Sequence, residues 1–320
     1  MKLKSFLLFS VILLFASACK ENNAIESEIS KINVDLEIER FDKILGKTKV
    51  DNLEGVRKDY PFLFPKEIDS TWTNRLFGDL QQEIFDEVTI NYDNIEEQEL
   101  EIKGLFKHLK YYDSNFEQPR VITIADYVDY KNKLILQENL LIINLSNYLG
   151  TEHRFYQNIP QYFSKNMITE QIVPEIAEKY AMRYAYQNQR RTFLDEIIFQ
   201  GKLLYFKEMM LPNISKPQII GYSDGGIKWA EANEVMIWSY FVENEILFKT
   251  DPKLFQRFTV PGPFSKFGLE IDNESPSRLG SYIGWQIVKA FKEKSNKGLI
   301  DIMSTDADEI FKTSKYKPRR

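Results

Sequence analysis

Cysteine is almost missing from this chain: Cys19 is the one such residue in 320. A disulfide framework is therefore excluded, and a modified Cys19 would leave no free thiol. Histidine is nearly as scarce, with only His108 and His153. Their separation excludes the pair of imidazoles, four residues apart on one helix, by which zinc peptidases grip their metal. Neither has an obvious serine partner in sequence, so both read as structural or solvent-facing. Glycine-rich phosphate loops are lacking too. Gly221-Tyr-Ser-Asp-Gly-Gly has neither the lysine nor the spacing, and reads as a loop between helices. Beyond the N-terminus no run of 18 apolar residues occurs, which excludes a second membrane-crossing segment. Basic charge is short as well. The formal net charge is −5, and loss of Lys2 and Lys4 with a cleaved leader takes it to −7. The segment from Lys312 to Arg320 holds five bases and no acid, leaving the body near −12. Such a body is unsuited to nucleic acid, and the basic end reads as solvated.

What is present begins at the N-terminus. Lys2 and Lys4 precede an apolar stretch from Phe6 to Phe15, and Ala16, Ser17 and Ala18 lead into Cys19. The apolar stretch is too short to cross a hydrocarbon core of about 30 Å, so it reads as an export signal removed before Cys19. A cysteine at that place is where bacterial lipoproteins receive diacylglycerol on sulfur and an acyl chain on the new amine. The expectation is a signal peptide over 1–18, lipid on Cys19, a polar tether over 19–31, and one domain over 32–320. Lipid would hold the protein to a membrane of the cell envelope without crossing it. Lys20-Glu21 partly matches signals for surface display, which leaves the membrane and its face open.

With 43% hydrophobic and 14% aromatic residues the body is supplied for a real core, and a chain of this size buries roughly three quarters of its unfolded surface. Alternation at Ile32, Val34, Leu36 and Ile38 predicts a strand. Trp72, Leu76, Leu80, Ile84 and Val88 predict a helix over 66–87, followed by an acidic solvated face at Glu96, Glu97, Glu99 and Glu101. Three β-branched runs, 120–125, 133–136 and 139–145, predict a small buried sheet. Helices dominate thereafter. Pro174 opens one to Gln187, Thr192 with Asp195 forms a capping box opening another to Met210, a third runs from Lys228 to Phe248, and Ser275-Pro276 opens a fourth to Lys292. The fold class is α+β, a small mixed sheet in the N-terminal half packed on a mostly helical C-terminal half.

The segment from Thr192 to Phe206 has the build of a zinc-peptidase helix with a central glutamate, Glu196. Asp195 and Phe199 stand where the two histidines would, and a phenyl ring offers no lone pair to zinc. Glu234 on the next long helix stands where a third ligand would. Asp195 reads instead as an N-terminal capping carboxylate. No catalytic residue, metal site or cofactor is expected. Near the C-terminus, Gly280 and Gly284 leave a strip without Cβ beside Leu279, Ile283, Ile287 and Phe291, which predicts a helix packed closely against another backbone. Tyr180, Tyr184, Tyr186, Trp229 and Trp238 read as core rather than a stacking platform.

Several segments, taken in order, resemble one family. They are the leader ending at Cys19, Asn147-Tyr-Leu-Gly, Phe199-Gln-Gly-Lys-Leu-Leu-Tyr, Trp229-Ala-Glu-Ala-Asn-Glu with Ile237-Trp238, Ser275-Pro-Ser-Arg-Leu-Gly-Ser-Tyr-Ile-Gly-Trp-Gln-Ile-Val, and Ser314-Lys-Tyr-Lys-Pro. Together they resemble the gliding-motility lipoproteins called GldB over essentially the whole chain. The resemblance implies distant kinship with zincin-type metallopeptidases and a zincin-like fold, with Asp195, Glu196, Phe199 and Glu234 as degenerate site positions. It further implies a lipid-anchored, non-catalytic role in gliding, through contacts with other gliding or secretion proteins. Two other functions remain in play: a metallopeptidase using Asp195, Glu196 and Glu234 as an unusual ligand set, and a lipoprotein binding peptide or glycan between sheet and helices.

Overall fold

The computed structural model describes residues 24–268 and 270–318. The signal segment and Cys19 lie outside them. Residues 24–30, expected as tether, are helical (α1). Ile25 and Ile29 stand one turn apart, and Ile29 is buried. That short stripe docks the helix, and Lys107 Nζ donates to Ser30 O at 3.0 Å to hold its end. The alternation from Ile32 is real in burial, with Val34, Leu36 and Ile38 inside, but ladder pairing is confined to β1 (Ile38–Arg40).

Five helices follow: α2 (Phe41–Gly46), α3 (Leu53–Asp59), α4 (Ser70–Leu76), α5 (Asp79–Asn91) and α6 (Glu96–Tyr112). The single helix expected over 66–87 is thus two. Asp69 caps α4, accepting from Trp72 N at 2.7 Å, and Gly78 is extended (φ −76°, ψ 158°) before α5 restarts. The new phase turns Ile84, Phe85 and Val88 inward and leaves Leu80 exposed.

Next come β2 (Arg120–Ile124), β3 (Leu134–Gln137) and β4 (Leu140–Asn144). The sheet order is β1-β2-β4-β3. β1, β2 and β4 are parallel (Ile38 beside Val121, Val121 beside Leu141), while β3 folds back as an antiparallel edge with Leu136 opposite Leu141. Leu141 to Asn144 are all buried, as expected of a parallel strand covered on both faces.

The rest is helical: α7 (Gln161–Ser164), α8 (Ile172–Tyr184), α9 (Phe193–Met210), α10 (Lys216–Ile220), α11 (Asp224–Ala232), α12 (Glu234–Glu243), α13 (Pro252–Phe258), α14 (Leu279–Lys292), α15 (Leu299–Ser304) and α16 (Ala307–Ser314). α8 opens two residues before Pro174, which still sits in the first turn where its missing N–H has no intrahelical partner to lose. The helix expected from Lys228 breaks at Asn233 (φ −107°, ψ 12°), whose side chain donates to Trp229 O at 2.8 Å. Ser275 does not cap α14. Its hydroxyl donates to Asp272 O at 2.8 Å, and α14 begins only after Arg278 in left-handed backbone (φ 64°). Gly221-Tyr-Ser-Asp-Gly-Gly is only partly loop. Gly221 ends α10 at φ 75°, and Ser223 Oγ accepts from Gly226 N at 3.1 Å to start α11.

α9 is the central helix, with 13 of its 18 residues buried. It is apolar nearly all round, as a helix enclosed on every side must be. α14 crosses it where Gly201 faces Gly284. A Cβ on Gly284 would stand 1.6 Å from Ile197 O, and one on Gly201 would stand 2.2 Å from Gly284 C. The close backbone approach expected of the glycine strip is therefore here, and its partner is the glycine of Phe199-Gln-Gly-Lys.

Candidate functional site

The capping box of α9 forms as its sequence predicts. Thr192 Oγ1 accepts from Asp195 N at 3.1 Å, and Asp195 Oδ2 accepts from the backbone N–H of Thr192 at 2.9 Å and of Arg191 at 3.0 Å. Asp195 is thereby committed to the helix end. Glu196, one residue on, points to the other side and is buried. Its Oε2 accepts from Arg190 Nη2 at 2.6 Å and Nε at 3.0 Å, and its Oε1 accepts from Gln200 Nε2 at 2.9 Å. The Arg190 guanidinium also lies 3.7 Å above the Phe199 ring. A cation sandwiched between carboxylate and aromatic face is well satisfied. Phe199, which cannot bind zinc, here stacks an arginine.

Glu234 is engaged elsewhere. Its two carboxylate oxygens accept from Tyr282 and Tyr316 hydroxyls, each at 2.7 Å, so the start of α12 is tied to α14 and to the segment after α16. Burial first, and the Glu234 charge with it, push both phenols well above the ordinary tyrosine range. The structure does not gather Asp195, Glu196 and Glu234 into a ligand set; each serves a different network. Among the described residues no group of three or more His, Cys, Asp or Glu side chains is placed to hold a metal ion. The histidines are structural. His108 Nδ1 donates to Gly104 O at 2.8 Å. His153 Nδ1 accepts from Phe155 N at 3.3 Å, while its Nε2 lies 3.3 Å from Glu87. Tyr180 packs edge-on against Phe106 and Phe116, and Tyr184 stacks on Phe206, so these two are core. Tyr186 is exposed.

Two buried lysines on α9 escaped the reading of the sequence. Lys202 Nζ donates to Tyr186 O at 3.1 Å and to Thr305 O, joining α9 to the segments before it and after α15. Burial lowers its pKa to about 8. Lys207 pairs with Glu178 of α8 at 3.0 Å. Burial alone would raise Glu178, but Lys207, then Arg278 and Lys133, outweigh it and hold the carboxyl at about 2. The available signal was a lysine inside an almost wholly apolar helical stretch, which a solvated helix face does not explain.

Lys207 and Glu178 also line a cleft of about 410 Å³. It opens where β3 and the loop before it (Tyr130, Lys131, Lys133) meet one face of α8 (Glu175, Glu178, Lys179, Met182). Tyr162, Phe163, Lys165, Gly221, Ser277 and Arg278 also line it. Lys133 pairs with Glu175, whose second oxygen accepts from Tyr148 OH at 2.7 Å. The cleft thus lies between sheet and helices, away from the Arg190 sandwich.

Fold and cleft together define an α+β body with a basic pocket at the seam between its sheet and its helices. Among the described residues no helix is long and apolar enough to cross a membrane. The chain belongs to the family described as gliding motility protein GldB, which it matches over residues 22–318. Membership links it to gliding motility and, as a lipoprotein family, to the cell envelope. Comparison with curated proteins and with solved structures finds no match.

Proposed function

We propose that this protein is a lipid-anchored, non-catalytic component of the gliding machinery, working through contacts with other gliding or secretion proteins. The observation that carries the reading is the Arg190 sandwich. At the positions where a zincin-type enzyme would present its base and second ligand, Glu196 is spent on Arg190 and Gln200, and Phe199 is covered by the same guanidinium. The mixed sheet followed by α9 supports descent from such an enzyme. Lys2, Lys4, the apolar run and Cys19 support the anchor, and residues 32–320 act as its single body.

The test is genetic. Glu196→Gln keeps one acceptor oxygen for Arg190, gives up the acceptor for Gln200, and removes the charge that a general base requires. A gliding strain carrying it spreads over surfaces normally, whereas Cys19→Ser shifts the protein out of the membrane fraction and stops spreading. Loss of spreading in Glu196→Gln at normal protein abundance overturns the non-catalytic reading.

A further inference from the structure

The cleft between β3 and α8 carries an unusual charge. Six cations line it, Lys131, Lys133, Lys165, Lys179, Lys207 and Arg278, against two acids, Glu175 and Glu178. In a chain of net charge −5 this is a local reversal of sign. Among the described residues only Lys133 and Lys207 are paired, with Glu175 and Glu178. Among the described residues the other four have no carboxylate within ion-pair distance. Like charges held together in a half-enclosed space repel, and Lys165 registers it. Burial, and then the neighbouring Arg278, hold its pKa below the ordinary lysine value. Arg278 holds a left-handed backbone (φ 64°), a conformation in which a non-glycine residue is strained. Among the described residues its guanidinium donates once, to Ile220 O at 2.9 Å, which leaves most of a five-donor fork for something else. Lys165, Lys179 and Arg278 reach the cleft from three different elements: after α7, on α8, and before α14.

We propose that this cleft binds a phosphorylated ligand bearing at least two negative charges, a diphosphate or a phosphate monoester, held by Lys165, Lys179 and Arg278. A single carboxylate would leave the charge excess largely unanswered, whereas a phosphate accepts a bidentate arginine and point-charge lysines together. The volume is that of a small-molecule site. Tyr130, Tyr162 and Phe163, whose rings pack 4.6–4.8 Å apart in succession, form a wall against which the uncharged part of the ligand rests. The site stands independently of the gliding role: it holds whether or not Glu196 matters for spreading.

The experiment is isothermal titration of the full-length, detergent-solubilised protein with inorganic pyrophosphate and, separately, with glycerol 3-phosphate. Saturable one-to-one binding is expected for at least one, weakening as salt rises. Arg278→Gln weakens it at least tenfold, and Lys253→Gln, outside the cleft, leaves it unchanged. Lys165→Met raises the melting temperature of the ligand-free protein, because it removes a repelled, half-buried cation, yet weakens binding at least fivefold. A merely structural lysine would not give that opposition. Pyrophosphate binding tenfold tighter than glycerol 3-phosphate assigns the ligand to diphosphates, and the reverse order assigns it to phosphate monoesters. Absence of saturable binding at millimolar concentration of both, or equal weakening by Lys253→Gln, overturns the proposal.

Discussion

Gly284→Ala tests whether the α9–α14 crossing holds the helical half together. The added Cβ would fall 1.6 Å from Ile197 O and 2.5 Å from Ile197 C. Both obstacles are backbone, so no rotamer change relieves them. Restoring an ordinary carbon–oxygen separation moves the helices apart by roughly 1.5 Å, and a gap of that order forfeits about half or more of the dispersion between facing side chains. Ile197, at 0% exposure, lies in that interface, against both Gly280 and Gly284. Overpacking usually costs about 1–3 kcal/mol. With backbone on both sides the cost rises to about 4 kcal/mol, offset by about 1 kcal/mol of helix propensity gained over glycine. The expected net loss of about 3 kcal/mol lowers the melting temperature by roughly 6–10 °C. Gly104→Ala is the control, because a Cβ there meets nothing within 4 Å and should stabilise α6 by about 0.5–1 kcal/mol. Urea unfolding of both variants gives the comparison. The double variant Gly201→Ala/Gly284→Ala should lose less than the two single losses combined, since one separation serves both. A Gly284→Ala protein within 1 kcal/mol of the parent refutes the crossing as described.

The other networks make their own predictions. Lys202 has a folded pKa of about 8 against the ordinary lysine value of 10.5, so between those values the unfolded chain binds more protons and stability contributed by this site rises with pH. Subtracting the unfolding free energy of Lys202→Met from that of the parent should give a difference that climbs from pH 8 to pH 10, by about 2 kcal/mol; a flat difference rejects the buried, desolvated lysine. Glu234→Ala strands two buried tyrosine hydroxyls and should cost about 2–4 kcal/mol. Glu234→Gln keeps acceptance by one oxygen and should cost about half as much, with faster hydrogen exchange at the end of α16 as the second readout.

What the sequence disclosed follows from how local each cause is. Thr192 and Asp195 lie three residues apart, and the start of α9 was read correctly from them alone. The β-branched runs around Ile122, Ile135 and Ile142 marked three strands for the same reason. Gly78 and Asn233 were passed over because apolar spacing continued across both breaks, and periodicity does not register a change of phase. The helix over 24–30 was missed because two isoleucines are too few to make a period. Asp195, Glu196, Phe199 and Glu234 stand out in the sequence, but their partners do not: Tyr316 meets Glu234 from 82 residues away. The cleft was invisible for the same reason. Its cations come from segments between Lys131 and Arg278, and each segment by itself reads as ordinary solvated surface.

The docking of α1 shortens the leash. If Cys19 carries lipid, only the stretch to Ala24 stands between the bilayer and a helix fastened to α6, and five residues reach at most about 18 Å when fully extended. The body would then ride low over the headgroups with its α1 corner downward. Any partner on that membrane would have to approach from the side, and the protein would work as a fixed post with little room to swing.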